Sequence, residues 1–444
     1  MGRLFGTDGI RGVANQELTP ELAFHLGRAG AHILTAKANK AQIIVGRDTR
    51  ISGEMLEAAL MAGILSVGAS VHQVGVMPTP AIAYLVRKFA ADAGVVISAS
   101  HNPVQDNGIK FFSASGFKLP DAVEDEIEAH LYARGLPRPL GKKVGRVYPA
   151  ADAAEEYLRY LASIFPPKFA GLRLVIDCAN GAASHISPEI FRRLGAEVIP
   201  ICNSPNGLNI NDNCGSTHPE LLQRTVLKEG AHMGFAHDGD ADRVLACDEK
   251  GQLIDGDQIM CISALRMAAT GQLRRRILIT TVMSNLGLER ALKEKGIEVR
   301  RTQVGDRYVL AKMQRWGANL GGEQSGHVIF LDYNTTGDGI ITALKLATIV
   351  VETGNPLSQL AAAMPRLPQV QYNVLVSRKE NFSSNSRLQE AIQTANAAFA
   401  GTGRVLVRPS GTEPKVRVMV EGEDEKGLEE IAGRLVRLIE EELG

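Results

Sequence analysis

Three aspartates alternate with small residues in the segment AHDGDADR, which runs from Ala236 to Arg243. In an extended backbone, side chains two residues apart point to the same side, so Asp238, Asp240 and Asp242 can present three carboxylates on one face. A few carboxylates together with a phosphate oxygen are typical ligands of Mg²⁺. We therefore predict a magnesium site here, with Arg243 placed to neutralise the cluster and to contact phosphate.

A calcium-binding EF-hand is the competing interpretation, because the three aspartates fit its first, third and fifth positions and Glu249 falls at the twelfth. The sixth position requires glycine for a sharp turn, whereas this chain has Arg243 there. The flanking segments HMGFA and VLACD also resemble strands rather than helices. A magnesium site is therefore preferred over a calcium site or a solvated acidic turn.

A serine and a histidine are adjacent in ISASHNP, from Ile97 to Pro103, where a hydrophobic run ends in a polar turn. Ligands of open α/β sheets bind at the carboxyl ends of strands, so Ser100 is placed to react. A serine hydrolase is disfavoured, because the sequence lacks the GxSxG nucleophile elbow and adjacent loop residues seldom face each other. Taken alone, the segment also fits ordinary turn chemistry.

Two glycine-containing loops could hold a phosphorylated sugar. GGEQSGH, from Gly321 to His327, presents a carboxylate and a hydroxyl that can bind adjacent sugar hydroxyls, although it also fits a plain connecting loop. RPSGTEPKVRVMVE, from Arg408 to Glu421, combines arginines, hydroxyls and free amides, the groups that a phosphate dianion needs. Simple turn chemistry in a hairpin is the alternative for this second loop.

The elements that must position these loops alternate between short apolar runs and segments of helical period. QIIVGRD (Gln42 to Asp48), LRLVIDCANG (Leu172 to Gly181) and RRRILITTVMSN (Arg274 to Asn285) are predicted strands that end in polar residues. This pattern is typical of βα units with largely parallel sheets. We expect three similar α/β domains with mixed, largely parallel sheets, at residues 1–150, 151–252 and 253–366.

The order of elements changes in the last part of the chain to strand, helix, two strands and a terminal helix. This predicts a smaller C-terminal α+β domain at residues 367–444. Four domains arranged around a central cleft would provide a preferred place for a small-molecule site.

Composition limits the classes of function. The chain has 444 residues with 49 basic and 49 acidic side chains, so zero net charge argues against a nucleic-acid-binding surface. The first residues, MGRLFGTDGIRG, contain no apolar core of a signal peptide, and the most apolar stretch, Ala58 to Val71, is too short to span a bilayer. We expect a cytoplasmic protein that binds neither nucleic acid nor membrane.

Five cysteines occur without a CxxC pair, and we expect them to be reduced. Cys202, Cys214 and His218 form the only zinc-like grouping in the sequence. The grouping has no tight pair and no evident fourth ligand, so ordinary core or loop residues are the preferred interpretation.

The motifs FGTDGIRG, SASHNP, DGDADR, GEQSGH and RPSGTEPKVRV, in this order, resemble the α-D-phosphohexomutase family over essentially the full chain. The resemblance implies an enzyme that moves phosphate between the 6- and 1-positions of a hexose through a phosphorylated serine, Ser100. A hexose 1,6-bisphosphate would be the intermediate and activator. The resemblance also implies one Mg²⁺ per active site, held by Asp238, Asp240 and Asp242 along with the phosphate of Ser100.

Further roles follow from the same resemblance. Acid–base and other catalytic duties would fall to three side chains beside the serine, His101, Lys110 and Arg11. Substrate contacts would come from Arg243, Glu323, Ser325 and His327. The non-transferring phosphate would be bound by the last loop, at Arg408, Ser410, Gly411, Thr412 and Arg417.

The stretch TQVGDRYV (Thr302 to Val309) and the form GEQSGH are more similar to the branch that acts on glucosamine phosphates than to the mannose and glucose branch. We therefore expect interconversion of glucosamine 6-phosphate and glucosamine 1-phosphate, feeding UDP-N-acetylglucosamine and cell-wall synthesis. The alternatives are a mutase for mannose or glucose phosphates and a sugar-phosphate phosphatase. The expected partner is a small-molecule hexosamine phosphate, with a homodimer as a candidate assembly.

Overall fold

The structure, a computed structural model, describes residues 3–6, 8–36, 38, 40–166, 168–399, 401–410 and 414–444. The chain forms two compact units, one of Met1–Met283 with Ile297–Ala363 and another of Ser284–Gly296 with Met364–Gly444. The predicted domain boundaries remain predictions.

Strands and helices alternate through most of the described chain. The strands are β1 (Ile10–Val13), β2 (Gln42–Arg47), β3 (Ser70–Val76), β4 (Ala93–Ile97), β5 (Asp106–Ser113), β6 (Val147–Pro149), β7 (Arg173–Asp177), β8 (Glu197–Ile201), β9 (Met233–His237), β10 (Val244–Asp248), β11 (Leu253–Ile254), β12 (Ile277–Thr281), β13 (Glu298–Thr302), β14 (Leu320–Gly322), β15 (Val328–Phe330), β16 (Gln369–Leu375), β17 (Arg404–Pro409) and β18 (Lys415–Glu421). The helices are α1 (Pro20–Leu34), α2 (Ser52–Ser66), α3 (Thr79–Lys88), α4 (Asp121–Ala129), α5 (Ala153–Ile164), α6 (Ala183–Arg193), α7 (Glu220–Glu229), α8 (Gly256–Ala269), α9 (Leu286–Lys293), α10 (Asp306–Trp316), α11 (Gly339–Thr353), α12 (Leu357–Ala361), α13 (Ser386–Ala398) and α14 (Glu425–Leu443).

The first sheet of the larger unit has the order β1-β5-β4-β2-β3-β6. Strands β2, β3, β4 and β6 are parallel, whereas β5 is antiparallel to β4 and β1 is antiparallel to β5. All residues of β4 are buried, as expected for a central strand with helices on both faces. The SASHNP segment therefore directly follows a rigid, buried strand.

The second and third sheets of the larger unit repeat this mixed pattern. The second has the order β11-β10-β9-β7-β8, with β7, β8 and β9 parallel and β10 antiparallel to β9. The third has the order β13-β12-β14-β15, parallel except for β14 with β15. Three α/β sheets that are mixed and largely parallel confirm the predicted fold class.

The smaller unit contains an antiparallel sheet of order β16-β18-β17. Helices α13 and α14 supply apolar side chains to its core, among them Leu388, Leu428 and Leu435. The order strand, helix, two strands and helix is the one predicted for the C-terminal domain. The unit also contains α9, an association that sequence order did not indicate.

Candidate active site

Ser100 lies in the loop that follows β4 and is 1% exposed. Its φ angle of 53° places it in the left-handed region, which is uncommon for a residue other than glycine. The Oγ atom donates a hydrogen bond to Asp238 Oδ2 at 2.5 Å. The serine and the first aspartate of the acidic motif, which are far apart in sequence, therefore meet directly.

Arg50 holds the main chain of the Ser100 loop in place. Its guanidinium is completely buried and donates to the carbonyl oxygens of Ser100 at 3.0 Å and Asn102 at 2.8 Å. Asp48 pairs with Arg50 Nε at 2.9 Å and accepts a hydrogen bond from the hydroxyl of Ser98, which in turn accepts from the amide of Ser100. These contacts to its main chain hold the serine in its strained conformation.

The three aspartates occupy the loop between β9 and β10, and all are at most 3% exposed. Oxygens of Asp238, Asp240 and Asp242 lie within 4.8 Å of one another. Burial and the charges of the other two carboxylates raise the pKa of Asp238 well above its usual value. Burial acts in the same direction on Asp242, but His327, Lys110 and Arg243 hold the pKa of Asp242 below its usual value.

This cluster fits a divalent cation. Oδ1 of Asp240 and Oδ1 of Asp242 are buried and accept no hydrogen bond from any residue that the structure describes. Buried carboxylate oxygens normally have partners, so their lack of one is the feature expected of metal ligands. Three hard oxygen donors in one place suit Mg²⁺.

Two cationic side chains, Lys110 and Arg11, lie close to the carboxylates. Lys110 on β5 is 2% exposed, and its Nζ lies 2.8 Å from Asp240 Oδ2 and 2.9 Å from Asp8 Oδ2. Burial lowers the pKa of Lys110, but Asp240 and Asp8 outweigh it, and the pKa is raised above its usual value. Lys110 therefore stays protonated in this arrangement. Arg11 on β1 donates to Asp8 Oδ2 at 2.5 Å.

His101 Nδ1 lies 3.3 Å from Ser100 Oγ. Burial and the positive charges of Arg243 and Arg11 lower the pKa of His101 to about 4. The imidazole is therefore neutral at pH 7 beside the serine, in contrast to the protonated Lys110.

Arg243 and His327 flank the last aspartate. Arg243 Nε lies 3.8 Å from Asp242 Oδ1, and its backbone amide donates to Asp238 Oδ1 at 3.1 Å. His327 Nδ1 lies 3.5 Å from Asp242 Oδ2, and its Nε2 lies 3.6 Å from Asp306 Oδ2. Arg243 and His327, two of the four predicted substrate-binding residues, are thus part of the same charged network.

The GGEQSGH segment contains the end of β14 and the turn that leads into β15. Glu323 is partly buried and accepts a hydrogen bond from the amide of Gly305 at 3.0 Å. Ser325 is exposed at the tip of the loop. The two side chains are presented from one short turn.

The predicted phosphate loop belongs to the smaller unit. Arg408 on β17 faces Arg417 on β18 in the antiparallel register. Burial and the charge of Arg417 lower the pKa of Arg408, and its Nε is buried without a hydrogen-bond acceptor among the described residues. Two arginines paired across a hairpin suit an anion. Ser410 is buried beside them, whereas Gly411 and Thr412 lie outside the described residues.

Sequence patterns missed several residues that complete the network in the larger unit. Asp8 and Asp306 lie within the quoted motifs FGTDGIRG and TQVGDRYV, but nothing marked their side chains. Lys118 contacts both of these aspartates and had no sequence signal. Thr79, whose hydroxyl donates to Asp240 Oδ2 at 2.6 Å, is likewise visible only in the fold.

The chain belongs to the phosphoglucomutase/phosphomannomutase family. Models of its alpha/beta/alpha domains I, II and III match residues 2–136, 155–251 and 255–367, and the model of its C-terminal domain matches residues 372–438. This confirms the family that the ordered motifs indicated. No helix of the part of the chain that the structure describes has the length and apolar character needed to cross a membrane.

A phosphoglucosamine mutase of Carboxydothermus hydrogenoformans is 59% identical over 442 residues, which cover 99% of this chain and 100% of the relative. A solved structure of a phosphoglucomutase/phosphomannomutase family protein from Burkholderia thailandensis has a TM-score of 0.82 at 26% identity, covering 100% of this chain and 98% of that one. The structure of N-acetylphosphoglucosamine mutase of Aspergillus fumigatus, solved in complex with GlcNAc-6P and magnesium, has a TM-score of 0.72 at 18% identity. The match covers 99% of this chain and 95% of that one. The last similarity shows the fold alone.

Proposed function

We propose that this chain interconverts glucosamine 6-phosphate and glucosamine 1-phosphate by transferring phosphate within the sugar through Ser100. The observation that carries the proposal is the contact of Ser100 Oγ with Asp238 Oδ2 at 2.5 Å, inside a buried cluster of three carboxylates. Full-length relatives at 52–59% identity, named phosphoglucosamine mutase, support the choice of sugar.

Ser100 acts as the phosphate carrier. Phosphorylated Ser100 gives its phosphoryl group to O1 of glucosamine 6-phosphate, so the P–Oγ bond breaks, a P–O1 bond forms, O1 loses its proton and Oγ gains one. The resulting 1,6-bisphosphate reorients, and its 6-phosphoryl group passes to Ser100 Oγ: the P–O6 bond breaks, a P–Oγ bond forms, Oγ loses its proton and O6 gains one, which leaves glucosamine 1-phosphate. Such a transfer depends mainly on positioning and charge stabilisation.

Asp238, Asp240 and Asp242 would hold Mg²⁺, which neutralises charge on the transferring phosphoryl group when it is bound. Lys110 and Arg11 add positive charge beside these carboxylates. His101, neutral and 3.3 Å from Ser100 Oγ, is the better placed of the predicted residues to accept a proton. Lys110 is tied to two carboxylates and acts through its charge.

Substrate recognition is assigned to separate loops. We propose that Glu323 and Ser325 bind sugar hydroxyls, with Arg243 and His327 contacting the phosphorylated sugar. Arg408, Ser410 and Arg417 would bind the phosphate that is not being transferred, together with Gly411 and Thr412. The arginine pair across β17 and β18 supports this assignment, because phosphate dianions favour bidentate guanidinium partners.

Ser100→Ala tests the carrier role. The variant should lose isomerisation to background, because alanine has no hydroxyl to carry the phosphoryl group. Its intact mass should also lack the phosphate carried by the wild type. Ser115→Ala, which alters an exposed serine in the turn after β5, is the matched control and should keep full activity. Full isomerisation by Ser100→Ala would contradict the phosphoserine mechanism.

The identity of the sugar is tested by a parallel kinetic comparison of glucosamine, glucose and mannose phosphates. We expect the highest kcat/KM for glucosamine phosphate, with stimulation by hexose 1,6-bisphosphate. A preference for mannose or glucose phosphates would place the chain in the other branch of the family. Steady release of inorganic phosphate would instead indicate a phosphatase.

Magnesium dependence is a separate test. Chelation of divalent cations should abolish turnover, and added Mg²⁺ should restore it.

The reaction would supply UDP-N-acetylglucosamine and cell-wall synthesis in the cytoplasm. Assembly as a homodimer remains a prediction.

A further inference from the structure

Two cysteines meet at the base of the loop formed by residues 203–213. Cys202 directly follows β8, and Cys214 directly precedes the short 3₁₀ turn Gly215–Thr217. Their Sγ atoms lie within 4.8 Å of each other and of a carboxylate oxygen of Asp177. Cys202 is partly exposed, whereas Cys214 is buried.

The two thiols differ in reactivity. The hydrogen bond between them lowers the pKa of Cys202, although burial opposes this effect. The same hydrogen bond, together with burial, raises the pKa of Cys214. An accessible thiol with a lowered pKa beside a second, less acidic thiol is the arrangement found in reversible redox pairs.

The loop between the cysteines supports the catalytic serine. Asn211 Nδ2 donates hydrogen bonds to the carbonyl oxygens of Ser100 at 2.8 Å and Asn102 at 3.1 Å. The carbonyl of Gly207 accepts from the amide of Ile51 at 2.9 Å, next to Arg50. A change at the base of the loop is therefore transmitted to the main chain of the residue that carries phosphate.

The loop base is also conformationally strained. Cys202 has a φ angle of 47° and Asn211 one of 58°, both in the left-handed region. Neighbouring Asn180 has a φ angle of 47°, and its backbone amide donates a hydrogen bond to the carbonyl oxygen of Cys202 at 2.6 Å. Such a backbone is held by its surroundings, so forming a covalent link between its ends would shift it.

We propose that Cys202 and Cys214 form a reversible disulfide that lowers the activity of the enzyme by displacing Asn211 from the carbonyl of Ser100. With hydrogen peroxide as oxidant, the Cys202 thiolate attacks one peroxide oxygen, the O–O bond breaks and a sulfenic acid and water result. Cys214 then attacks the Cys202 sulfur, the S–S bond forms and a second water leaves. Two thiols are oxidised and one peroxide is reduced to two waters.

A metal site made of Asp177, Cys202 and Cys214 is the alternative. The carboxylate of Asp177 is already committed to the backbone, because Oδ1 accepts from the amide of Ala179 and Oδ2 from that of Gly215, both at 2.9 Å. His218, the third member of the predicted zinc-like grouping, is exposed and does not join the cluster. The geometry therefore favours a redox pair over a zinc site.

The inference rests on the proposed function only for its activity readout. Reduced full-length protein is treated with hydrogen peroxide, and the product is analysed by intact mass, by peptide mapping and by mutase turnover. We expect loss of two hydrogens, a linked peptide pair of Cys202 and Cys214, and a loss of turnover of about 10-fold or more, since small displacements at a reacting group have effects of this size. A dithiol reductant should restore both the mass and the turnover.

Cysteine variants separate this pair from other thiols. Cys202→Ser and Cys214→Ser should keep their turnover after peroxide, whereas Cys261→Ser, which alters a buried thiol in α8, should remain as sensitive as the wild type. Thermal unfolding of the reduced variants checks that they are folded. If one variant is not folded, the peptide map and turnover of the oxidised wild type still decide the question.

Four results would overturn the proposal. They are the absence of the linked peptide pair, a link to Cys178 instead, full turnover of the linked form, and one zinc ion per chain that is lost in Cys202→Ser. If the reduced enzyme acts on no hexose phosphate, the proposed function fails, while the peptide map still decides whether the redox pair exists.

Discussion

Arg50 shows how much of the site depends on a side chain that cannot touch the substrate. It is fully buried, and its charge is balanced by Asp48 and by the carbonyl oxygens of the Ser100 loop. A buried charge of this kind is costly unless every donor is satisfied. Here the donors are used to hold one loop, so we regard Arg50 as a positioning residue.

Arg50→Lys should lower kcat by about 10- to 100-fold with a smaller effect on KM, because lysine keeps the charge but lacks the planar set of donors. Steady-state kinetics with glucosamine 6-phosphate measure the two constants. Arg47→Lys is the control, since Arg47, the last residue of β2, forms ion pairs with Glu54 and Glu57 of α2 instead of holding the Ser100 loop. Equal effects of the two substitutions would argue against the positioning role.

Asp177 makes stability depend on pH. Burial raises its pKa to about 6, from a usual value of 3.8. The folded protein therefore binds this proton more tightly than the unfolded chain. The stabilisation of the folded state that results is fully present below about pH 4 and is lost as pH rises through about 6.

The test compares wild type with Asp177→Asn, which cannot titrate. Relative to Asp177→Asn, the wild type should lose about 2–3 kcal/mol of its free energy of unfolding as the pH rises from about 4 to 7. Urea unfolding at a series of pH values measures this difference. Asp212→Asn controls for removal of an exposed carboxylate nearby. A difference that does not vary with pH would contradict the assignment.

At the scale of elements, helices α1 and α2 cross at a contact made by glycines. A Cβ atom at Gly63 would lie 2.1 Å from the carbonyl oxygen of Phe24, and one at Gly27 would lie 2.2 Å from that of Leu60. Neither approach is compatible with a side chain. The glycines therefore set the separation of two helices that cover the sheet behind the Ser100 loop.

Gly63→Ala should lower the free energy of unfolding by about 1–3 kcal/mol, because the added methyl group forces the helices apart despite the better helix propensity of alanine. Chemical denaturation measures the change. Ala58→Gly, on the exposed face of the same helix, is the converse control and should cost about 1 kcal/mol through propensity alone. A gain in stability for Gly63→Ala would show that packing does not constrain this position.

At the scale of the whole molecule, the division into units does not follow the order of the chain. Helix α9 is grouped with the C-terminal residues, because Leu286 donates its amide to the buried Glu421 at 2.8 Å and Asn285 Nδ2 donates to Leu367 at 3.0 Å. Arg290 pairs with Glu423 at 2.7 Å. An eight-residue helix is not stable alone in water, so α9 depends on these partners.

A chain that ends at residue 363 should therefore lose protection against amide hydrogen exchange in residues 284–296. Exchange followed by mass spectrometry compares the truncated and full-length chains. The amides of α1 and α2, which belong to the other unit, are the internal control and should be unchanged. Equal protection of α9 in both chains would show that its stability does not come from the C-terminal residues.

Local patterns in the chain were enough to predict the strand and helix alternation and the change of order at the C-terminal domain. Side-chain periodicity and residue type are local properties, so the aspartates on one face and the arginines of the last loop could be recognised directly. The family resemblance then linked Ser100 to a metal loop. The roles assigned to individual site residues remain proposals.

Only the tertiary structure decided which groups meet and in which state of charge. Ser100 and Asp238 are 138 positions apart, and Lys118, Asp8 and Asp306 complete the network from three further segments. The neutral His101, the charged Lys110 and the unequal thiols of Cys202 and Cys214 depend on burial and on distant neighbours. These energies are set by distance and dielectric environment, which the order of residues alone does not contain.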